Sequence, residues 1–345
     1  MRAAVIHAPH DLRIDDIADQ PMGPNDVRVR IGAGGICGSD LHYYHHGGFG
    51  TVRIRTPMVL GHEIAGTVVA CGAAVSTVQP GDKVAVNPSL PCGACRYCLA
   101  GQSNHCLDMR FYGSAMRDPH VHGGFRDELV CTEAQAVVLP PGVSINEAAF
   151  AEPLSVCLHA GRQAGPLLGK RVLVTGTGPI GALLIMVARQ AGAREIVATD
   201  LLDQPLAKAR EVGADRTINT RSEPDGLTRY GADKGYFDVV FEASGAAPAL
   251  AAALAAARPG ATLVQVGIGA DATPPVPLNM VVAKEITLRG TFRFHEEFAW
   301  AVDFIASRRI DVRPLLTEIV PLAEAVRGFD LASDRSKAMK VLLAF

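Results

Sequence analysis

Four cysteines lie close together in the first half of the chain, at Cys92, Cys95, Cys98 and Cys106. Thiolates a few residues apart in a glycine-containing turn can converge on one tetrahedral ion, and four thiolates at about 2.3 Å suit structural Zn2+. Disulfides between such close neighbours would be strained, so we favour zinc over a pair of disulfides. A closed four-thiolate site has no open position for a substrate, and it therefore predicts a structural role.

A second set of potential metal ligands lies upstream, with Cys37 in the segment Cys-Gly-Ser-Asp-Leu-His and with His62 and Glu63 in Gly-His-Glu. Thiolate, imidazole and carboxylate all suit Zn2+, and three protein ligands leave a position open for a substrate. Each residue taken singly could be an ordinary core or surface residue. Their occurrence in one chain predicts a second, catalytic zinc site.

A glycine-rich turn, Gly176-x-Gly178-x-x-Gly181, follows a short apolar strand, opens an apolar helix and precedes a strand that ends at Asp200. In this context the turn is typical of dinucleotide binding, with the pyrophosphate at the helix N-terminus and the acidic residue on the ribose hydroxyls. A 2′-phosphate would meet like charge at Asp200, and the following residues 201–203 offer no arginine to offset it. We therefore expect NAD rather than NADP, the alternative being a glycine turn without a ligand.

The pattern of predicted strands and helices divides the chain into two kinds of region. Up to about residue 150 the sequence is β-rich and loop-heavy, and from about residue 170 strands and helices alternate as in a doubly wound parallel sheet. The predicted strands are 171–174, 195–200, 237–242 and 261–266, and the predicted helices lie near 204–212 and 248–257. We expect an α/β protein with a β-rich catalytic domain over 1–155 (zinc lobe about 88–110), a dinucleotide domain over 156–289 and a return to the catalytic domain over 290–345.

Composition excludes several other classes of function. The net charge of −2 leaves no basic surface for nucleic acid and no polybasic membrane patch. No apolar run reaches the ~20 residues needed to span a bilayer, and the first residues have no signal-peptide core. Eight cysteines without an export signal indicate a reducing compartment, so we expect a cytoplasmic protein.

The chain resembles the zinc-dependent medium-chain dehydrogenases/reductases over essentially its whole length, and within them the polyol dehydrogenase branch. The segments that carry the resemblance are 34–44, 57–63, 108–111, residues 113–116 and 119–121 of the following loop, and 289–294. The resemblance implies a GroES-like catalytic domain, a Rossmann domain that binds NAD, and a homo-oligomer of two or four chains.

The resemblance also implies roles for individual residues near the catalytic zinc. Cys37, His62 and an acidic residue would hold the ion, with Glu63 as the direct ligand and Glu152 reaching the metal through water or substrate. The sequence leaves the order of these two carboxylates open. Ser39 and His42 have the spacing of the family's proton relay.

Further positions match residues that contact substrate and cofactor in the family. The expected substrate-binding residues are Tyr43, Phe111, Glu152 and Arg293. The expected cofactor-binding residues are Gly176, Gly178, Pro179, Ile180, Gly181, Asp200, Val266, Gly267, Ile268, Phe292 and Arg293.

The expected reaction is oxidation of a secondary alcohol of a sugar acid, L-idonate at C5 to 5-keto-D-gluconate. A buried substrate carboxylate needs a cation, for which Arg110, Arg117 and His120 are candidates. The alternatives are a sorbitol- or xylitol-type polyol dehydrogenase and, from another class, a non-catalytic NAD-binding protein. A protein of the last kind would have no chemical reason to keep open-site ligands and a relay.

Overall fold

The structure is a computed structural model that describes residues 1–269 and 273–345, and it divides into two compact units. Unit 1 consists of Met1–Pro153, Phe294–Asp334 and Lys340–Phe345, and unit 2 consists of Leu154–Arg293 and Arg335–Met339. The sequence pattern assigned all of 290–345 to the first domain, whereas the structure groups Arg335–Met339 with unit 2. This short segment brings a residue of the C-terminal region to the dinucleotide turn.

The strands are numbered in chain order. Those before residue 150 are β1 (Arg2–Ala8), β2 (Asp11–Asp16), β3 (Asp26–Gly35), β4 (Gly48–Phe49), β5 (Val52–Arg53), β6 (Met58–Val59), β7 (Glu63–Cys71), β8 (Lys83–Val86), β9 (Ser89–Leu90), β10 (Arg110–Phe111), β11 (Glu128–Thr132) and β12 (Ala136–Val138). Those of unit 2 are β13 (Arg171–Thr175), β14 (Glu195–Asp200), β15 (Arg216–Asn219), β16 (Phe237–Glu242), β17 (Ala257–Gln265) and β18 (Thr287–Gly290). The chain ends with β19 (Leu316–Pro321) and β20 (Lys340–Ala344) in unit 1.

The helices are fewer and most lie in the second half of the chain. They are α1 (Gly38–His46), α2 (Arg96–Leu99), α3 (Ile145–Ala148), α4 (Ala151–Ala164), α5 (Pro179–Gln190), α6 (Asp203–Glu211), α7 (Ala247–Ala256), α8 (Leu278–Ala283), α9 (Glu297–Ala306) and α10 (Ala325–Ser333). Among the described residues, no helix combines the length and apolar character that a bilayer crossing requires.

Unit 1 is built on a sheet with the order β12-β8-β7-β3-β20-β19, and β11 also pairs with β3. Apart from the parallel pair β19 and β20, its strands pair antiparallel. β3 pairs with both β7 and β20, so strands that are far apart in sequence lie side by side. This pairing sets the start of β7 and the start of β20 on either side of the C-terminal end of β3, where the predicted metal ligands lie.

Unit 2 is a six-stranded parallel sheet with the order β15-β14-β13-β16-β17-β18, which is the strand order of a Rossmann domain. The predicted strands 195–200 and 237–242 coincide with β14 and β16. β17 begins at Ala257 rather than at 261, because Ala257 pairs with Phe237 before an irregularity in the register. The central strand β13 is buried on both faces, which explains its apolar run of Val172, Leu173 and Val174.

Candidate metal and dinucleotide sites

The structure brings Cys37, His62 and Glu63 together in unit 1. One ligand atom from each lies within 4.8 Å of the others, and His62 and Glu63 are almost completely buried. Burial and the neighbouring Glu63 carboxylate raise the pKa of the Cys37 thiol to about 12. A buried thiol, imidazole and carboxylate at this spacing fit a divalent cation, because the cation would favour the thiolate that the protein alone disfavours.

Local structure fixes two of these ligands through Asp40. Cys37 is the N-cap of α1, and its amide N–H donates to Asp40 Oδ2 at 3.0 Å. The Gly61 N–H donates to Asp40 Oδ1 at 3.3 Å, and His62 Nδ1 lies 3.8 Å from the same oxygen. Gly61 has φ of +95°, and a Cβ there would lie 2.1 Å from Phe125, so glycine is required before His62. The sequence analysis assigned Asp40 no role, although it lies within the Cys37 motif.

Glu63 contacts Lys340, a residue that the sequence analysis did not single out. Both side chains are buried, and Lys340 Nζ also donates to the Ile36 carbonyl at 3.0 Å. Burial disfavours the charge of Lys340, but Glu63 and Cys37 outweigh it and hold its pKa above the usual value. The sequence does contain a signal for this contact: a single lysine begins the otherwise apolar strand β20, and a buried lysine needs a charged partner.

Glu152 lies in the first turn of α4 and is also buried. Burial raises its pKa to about 8, with His62 acting in the opposite direction and Glu63 and Cys37 adding to the rise. The pKa of Glu152 therefore depends on the charges of Cys37, His62 and Glu63. Glu152 is nevertheless not one of the three residues whose ligand atoms lie within 4.8 Å of one another. This position suits a carboxylate that acts next to the ion.

The two predicted relay residues lie on α1, three positions apart. The Ser39 side chain hydrogen-bonds to Cys37, and His42 is exposed one turn later. Burial of part of the ring, together with the His46 and His45 imidazoles, holds the pKa of His42 below its usual value. His42 is therefore neutral at physiological pH and able to accept a proton.

Two predicted substrate residues lie in the same unit. The Phe111 ring centroid is 5.6 Å from that of His62, so Phe111 packs beside a metal ligand. Tyr43 is buried, and its hydroxyl oxygen accepts a hydrogen bond from the Ala115 amide at 3.0 Å. Tyr43 thereby connects α1 to the loop that follows the segment with the four clustered cysteines, Cys92–Cys106, which we call the cysteine lobe.

Of the three predicted partners for a substrate carboxylate, two have structural roles. Arg117 donates to the Met109 and Leu107 carbonyls at 3.1 and 2.6 Å. His120 Nε2 accepts from the Arg55 amide at 2.8 Å and Nδ1 lies 2.9 Å from the Arg117 carbonyl, so the ring is the neutral tautomer with the proton on Nδ1. A neutral ring offers no cation. Arg110, at the start of β10, is exposed.

The four cysteines of the lobe also converge, with their sulfur atoms within 4.8 Å of one another. All eight cysteines of the chain are free thiols, and the Cys95 and Cys98 sulfurs are 3.6 Å apart. That distance is too long for a disulfide and close to the ~3.8 Å edge of a tetrahedron with bonds of about 2.3 Å. Backbone N–H groups of Leu107 and Cys98 lower the pKa of Cys95 to about 6. These features fit a structural zinc ion.

The glycine turn of unit 2 has the local geometry expected for dinucleotide binding. Gly176 has φ of +82°, and a Cβ on Gly181 would lie 1.9 Å from the Gly176 carbonyl oxygen. Gly178 is the N-cap of α5, with Pro179 as the first helical residue, and no backbone atom would come within 4 Å of a Cβ there. The turn therefore offers an open face and the N-terminus of a long helix to an anion.

Asp200 lies at the end of β14, as expected for the ribose-binding acid, and its carboxylate contacts the turn. Thr177 donates to Asp200 Oδ2 from its amide at 2.8 Å and from its hydroxyl at 3.2 Å. Arg335 Nη2 lies 2.6 Å from the same oxygen. Residues 201–203 contain no arginine, but Arg335, far along the chain, supplies a positive charge next to Asp200.

The other predicted cofactor residues are also part of unit 2. The Val266 and Gly267 amides both donate to the Glu242 carbonyl at 2.8 Å, and Ile268 is exposed immediately after them. The Arg293 guanidinium lies 4.9 Å from the centroid of the Phe292 ring, and Arg293 has φ of +54°. Val266 to Ile268 thus follow the carboxyl end of β17, where dinucleotides bind in such sheets.

Comparisons with known proteins agree with this fold and these sites. Residues 23–141 match the alcohol dehydrogenase GroES-like domain, and residues 179–307 match the zinc-binding dehydrogenase family. The chain is 44% identical to L-idonate 5-dehydrogenase (NAD(P)(+)) of Escherichia coli K12, over 93% of this chain and 92% of that protein. It is 36% identical to sorbitol dehydrogenase of Gallus gallus, over 99% of this chain and 95% of that protein. The crystal structure of the Escherichia coli L-idonate 5-dehydrogenase superposes with a TM-score of 0.95, at 41% identity, over 100% of this chain and 98% of that chain.

A Rossmann domain and a GroES-like domain, with two clusters of residues that suit zinc, define an alcohol dehydrogenase that uses NAD(P) and a small-molecule substrate. The chain belongs to the zinc-dependent medium-chain dehydrogenases, in the group that includes the polyol dehydrogenases.

Proposed function

We propose that this enzyme oxidises a secondary alcohol of a sugar acid, with L-idonate and 5-keto-D-gluconate as the substrate pair. The observation that carries the proposal is the buried cluster of Cys37, His62 and Glu63, which has the ligand types of an open zinc site. The identity of 44% to an L-idonate 5-dehydrogenase supports the choice of substrate. Arg110 is the exposed cation that remains for the substrate carboxylate.

In this proposal Cys37, His62 and Glu63 hold the zinc ion, with Glu152 next to it. The ion supplies a Lewis acid that polarises the oxygen of the reacting alcohol or ketone. Asp40 orients the His62 ring, and Lys340 forms a buried ion pair with Glu63. Phe111 packs against His62 and limits the access of water to that ligand.

A panel of substrates tests the proposed function. Initial rates of NAD(P) reduction by the purified enzyme are measured with L-idonate, sorbitol and xylitol. We expect kcat/KM to favour L-idonate by about a hundredfold, or about 2.7 kcal/mol of transition-state binding, because the substrate carboxylate pairs with a cation that a neutral polyol does not engage. Faster turnover of the neutral polyols would contradict the sugar-acid assignment and identify a sorbitol-type enzyme, which the identity of 36% to sorbitol dehydrogenases favours as the second candidate.

The proposed relay predicts a pH dependence. Neutral His42 accepts the proton that leaves the substrate through Ser39, so its contribution is present above its pKa and is lost as pH falls through it. Because burial and the neighbouring histidines lower that pKa, the loss lies below the usual histidine range. We expect His42→Ala to reduce kcat for alcohol oxidation by about a hundredfold and to remove this limb of the pH–rate profile. His46→Ala, on the same helix, should keep the limb but move it to higher pH, because the His46 imidazole helps to lower the pKa of His42. An unchanged profile in His42→Ala would disprove the relay.

A non-catalytic NAD-binding protein remains the alternative of another class. Such a protein would bind NAD through the glycine turn and turn over none of the three substrates. The burial of His62 and Glu63 together with Glu152 and Lys340 argues against it, because an unused cluster of buried charges would only destabilise the fold.

We further propose a cytoplasmic homo-oligomer in which residues 1–155 and 290–345, apart from Arg335–Met339, form the catalytic domain and 156–289 form the cofactor domain. The free thiols support the reducing compartment. All four residues of β18, at the edge of the Rossmann sheet, are exposed, and Leu278 and Val282 of the preceding helix are also largely exposed. An open strand edge beside apolar side chains favours pairing with a second copy.

A further inference from the structure

The carboxylate of Asp200 is saturated with donors. Oδ1 accepts from the amides of Leu201 at 2.7 Å and Leu202 at 3.2 Å. Oδ2 accepts from the amide and hydroxyl of Thr177 and from Nη2 of Arg335. Four of these five donors are backbone groups or belong to the fully buried Thr177. A ribose hydroxyl that donates to Asp200 must therefore share or displace the fifth donor.

The fifth donor, the Arg335 guanidinium, is the one that can move away from Asp200. The Arg335 side chain is 47% exposed, whereas that of Asp200 is 3% exposed. Arg335 belongs to Arg335–Met339, the short segment of the C-terminal region that is part of unit 2. A guanidinium has five N–H donors, so Arg335 can keep one on Asp200 and direct others towards solvent.

Charge decides which cofactor such a site accepts. A carboxylate alone at the end of the second strand repels a 2′-phosphate, and a nearby arginine accommodates one. Arg335 neutralises Asp200 and presents a planar set of donors that suits phosphate oxygens. We propose that Arg335 is the specificity-determining residue that lets this enzyme bind NADP as well as NAD. The proposal rests on the proposed function only in requiring that the turn binds a nicotinamide dinucleotide.

The expected position of the pyrophosphate is also within reach of the Arg335 side chain. A Cβ on Gly178 would be 3.9 Å from Nε and Nη2 of Arg335, and Gly178 is the residue at which the backbone approaches a pyrophosphate. A pyrophosphate is common to both cofactors, whereas the 2′-phosphate belongs to NADP alone. The two contacts therefore predict different results when Arg335 is removed.

The test measures binding as well as turnover. Titration calorimetry of the purified, zinc-loaded protein with NADP and with NAD, without substrate, is carried out for the unmodified chain, Arg335→Ala and Arg335→Lys. We expect Arg335→Ala to weaken NADP binding at least tenfold and to leave NAD binding unchanged or tighter, because the competitor for Asp200 is gone. Arg335→Lys should recover part of the NADP affinity, since it restores the charge without the planar set of donors. The ratio of kcat/KM for the two cofactors should move in the same direction.

Arg258→Ala is the matched control. Arg258 forms an ion pair of the same kind with Asp238 at 2.6 Å, and its side chain is 40% exposed. Asp238 lies near the amino end of β16, whereas the glycine turn follows the carboxyl end of β13. It should change neither affinity. An equal loss of NAD and NADP binding in Arg335→Ala would overturn the proposal in favour of a pyrophosphate contact. Unchanged NADP binding in that variant, or failure of the unmodified chain to bind NADP while it binds NAD, would also overturn it. Failure to bind either cofactor would instead contradict the proposed function.

Discussion

Replacement of His62 by alanine is expected to lower kcat/KM for alcohol oxidation by a factor of about 10^4 or more. His62 is buried with Cys37 and Glu63 around one point, and three ligands are the minimum of an open zinc site. Loss of the imidazole leaves two ligands, Cys37 and Glu63, and Glu63 is paired with Lys340, so the site no longer retains its ion. Kinetics at saturating cofactor measure the effect, and the zinc content should fall from about two ions per chain to about one.

The control for this experiment is His7→Ala, which removes an imidazole from a half-exposed pair with Asp15 in the same unit. It should keep both zinc ions and nearly full activity. Cofactor binding by unit 2 should persist in His62→Ala, since the glycine turn and Asp200 belong to the other unit. A His62→Ala enzyme that retained both ions and its turnover would show that the Cys37 cluster is not the catalytic centre.

Replacement of Cys95 by serine is expected to unfold the cysteine lobe while the rest of the chain stays folded. The four sulfurs converge on one point, and the segment between Cys92 and Cys106 contains only the short helix α2, a 3-10 turn at Ser103–His105 and little core of its own. Structural zinc ions in small lobes provide on the order of 10 kcal/mol of apparent binding free energy, so loss of one ligand should cost several kcal/mol of local stability. Limited proteolysis should cut the variant within 92–106, with a loss of about one zinc ion per chain.

Cys71→Ser is the matched control, because Cys71 is a half-buried thiol outside both clusters that donates weakly to the Val78 carbonyl. It should retain both ions and resist cleavage in the lobe. A strong chelator should reproduce the Cys95→Ser pattern in the unmodified chain, whereas a reducing agent should not. Sensitivity to the reducing agent alone would indicate disulfides and contradict the zinc assignment.

The glycine turn, the cysteine lobe and two strands of the Rossmann sheet could be predicted from the sequence, because each depends on residues that are close together along the chain. The turn at Gly176 and Gly181 needs a positive φ and a close approach that only glycine permits, so its identity could be read from three residues and the flanking strands. The cysteines at 92–106 could be interpreted in the same way, because their spacing limits the geometry they can adopt. The strands at 195–200 and 237–242 followed from their apolar runs and flanking turns, and the structure has them at those residues.

The ion pairs between residues far apart in sequence could not be predicted, because they depend on how the strands and segments are arranged in the folded chain. Lys340 reaches Glu63 because β3 lies between β7 and β20, and no local pattern specifies that order of strands. Arg335 reaches Asp200 because a short segment of the C-terminal region belongs to unit 2. His120 is neutral because of one amide and one carbonyl that the sequence does not place beside it. Spacing along the chain therefore identified the ligand types, whereas the charge around each ligand depends on residues that only the folded chain brings within a few ångströms.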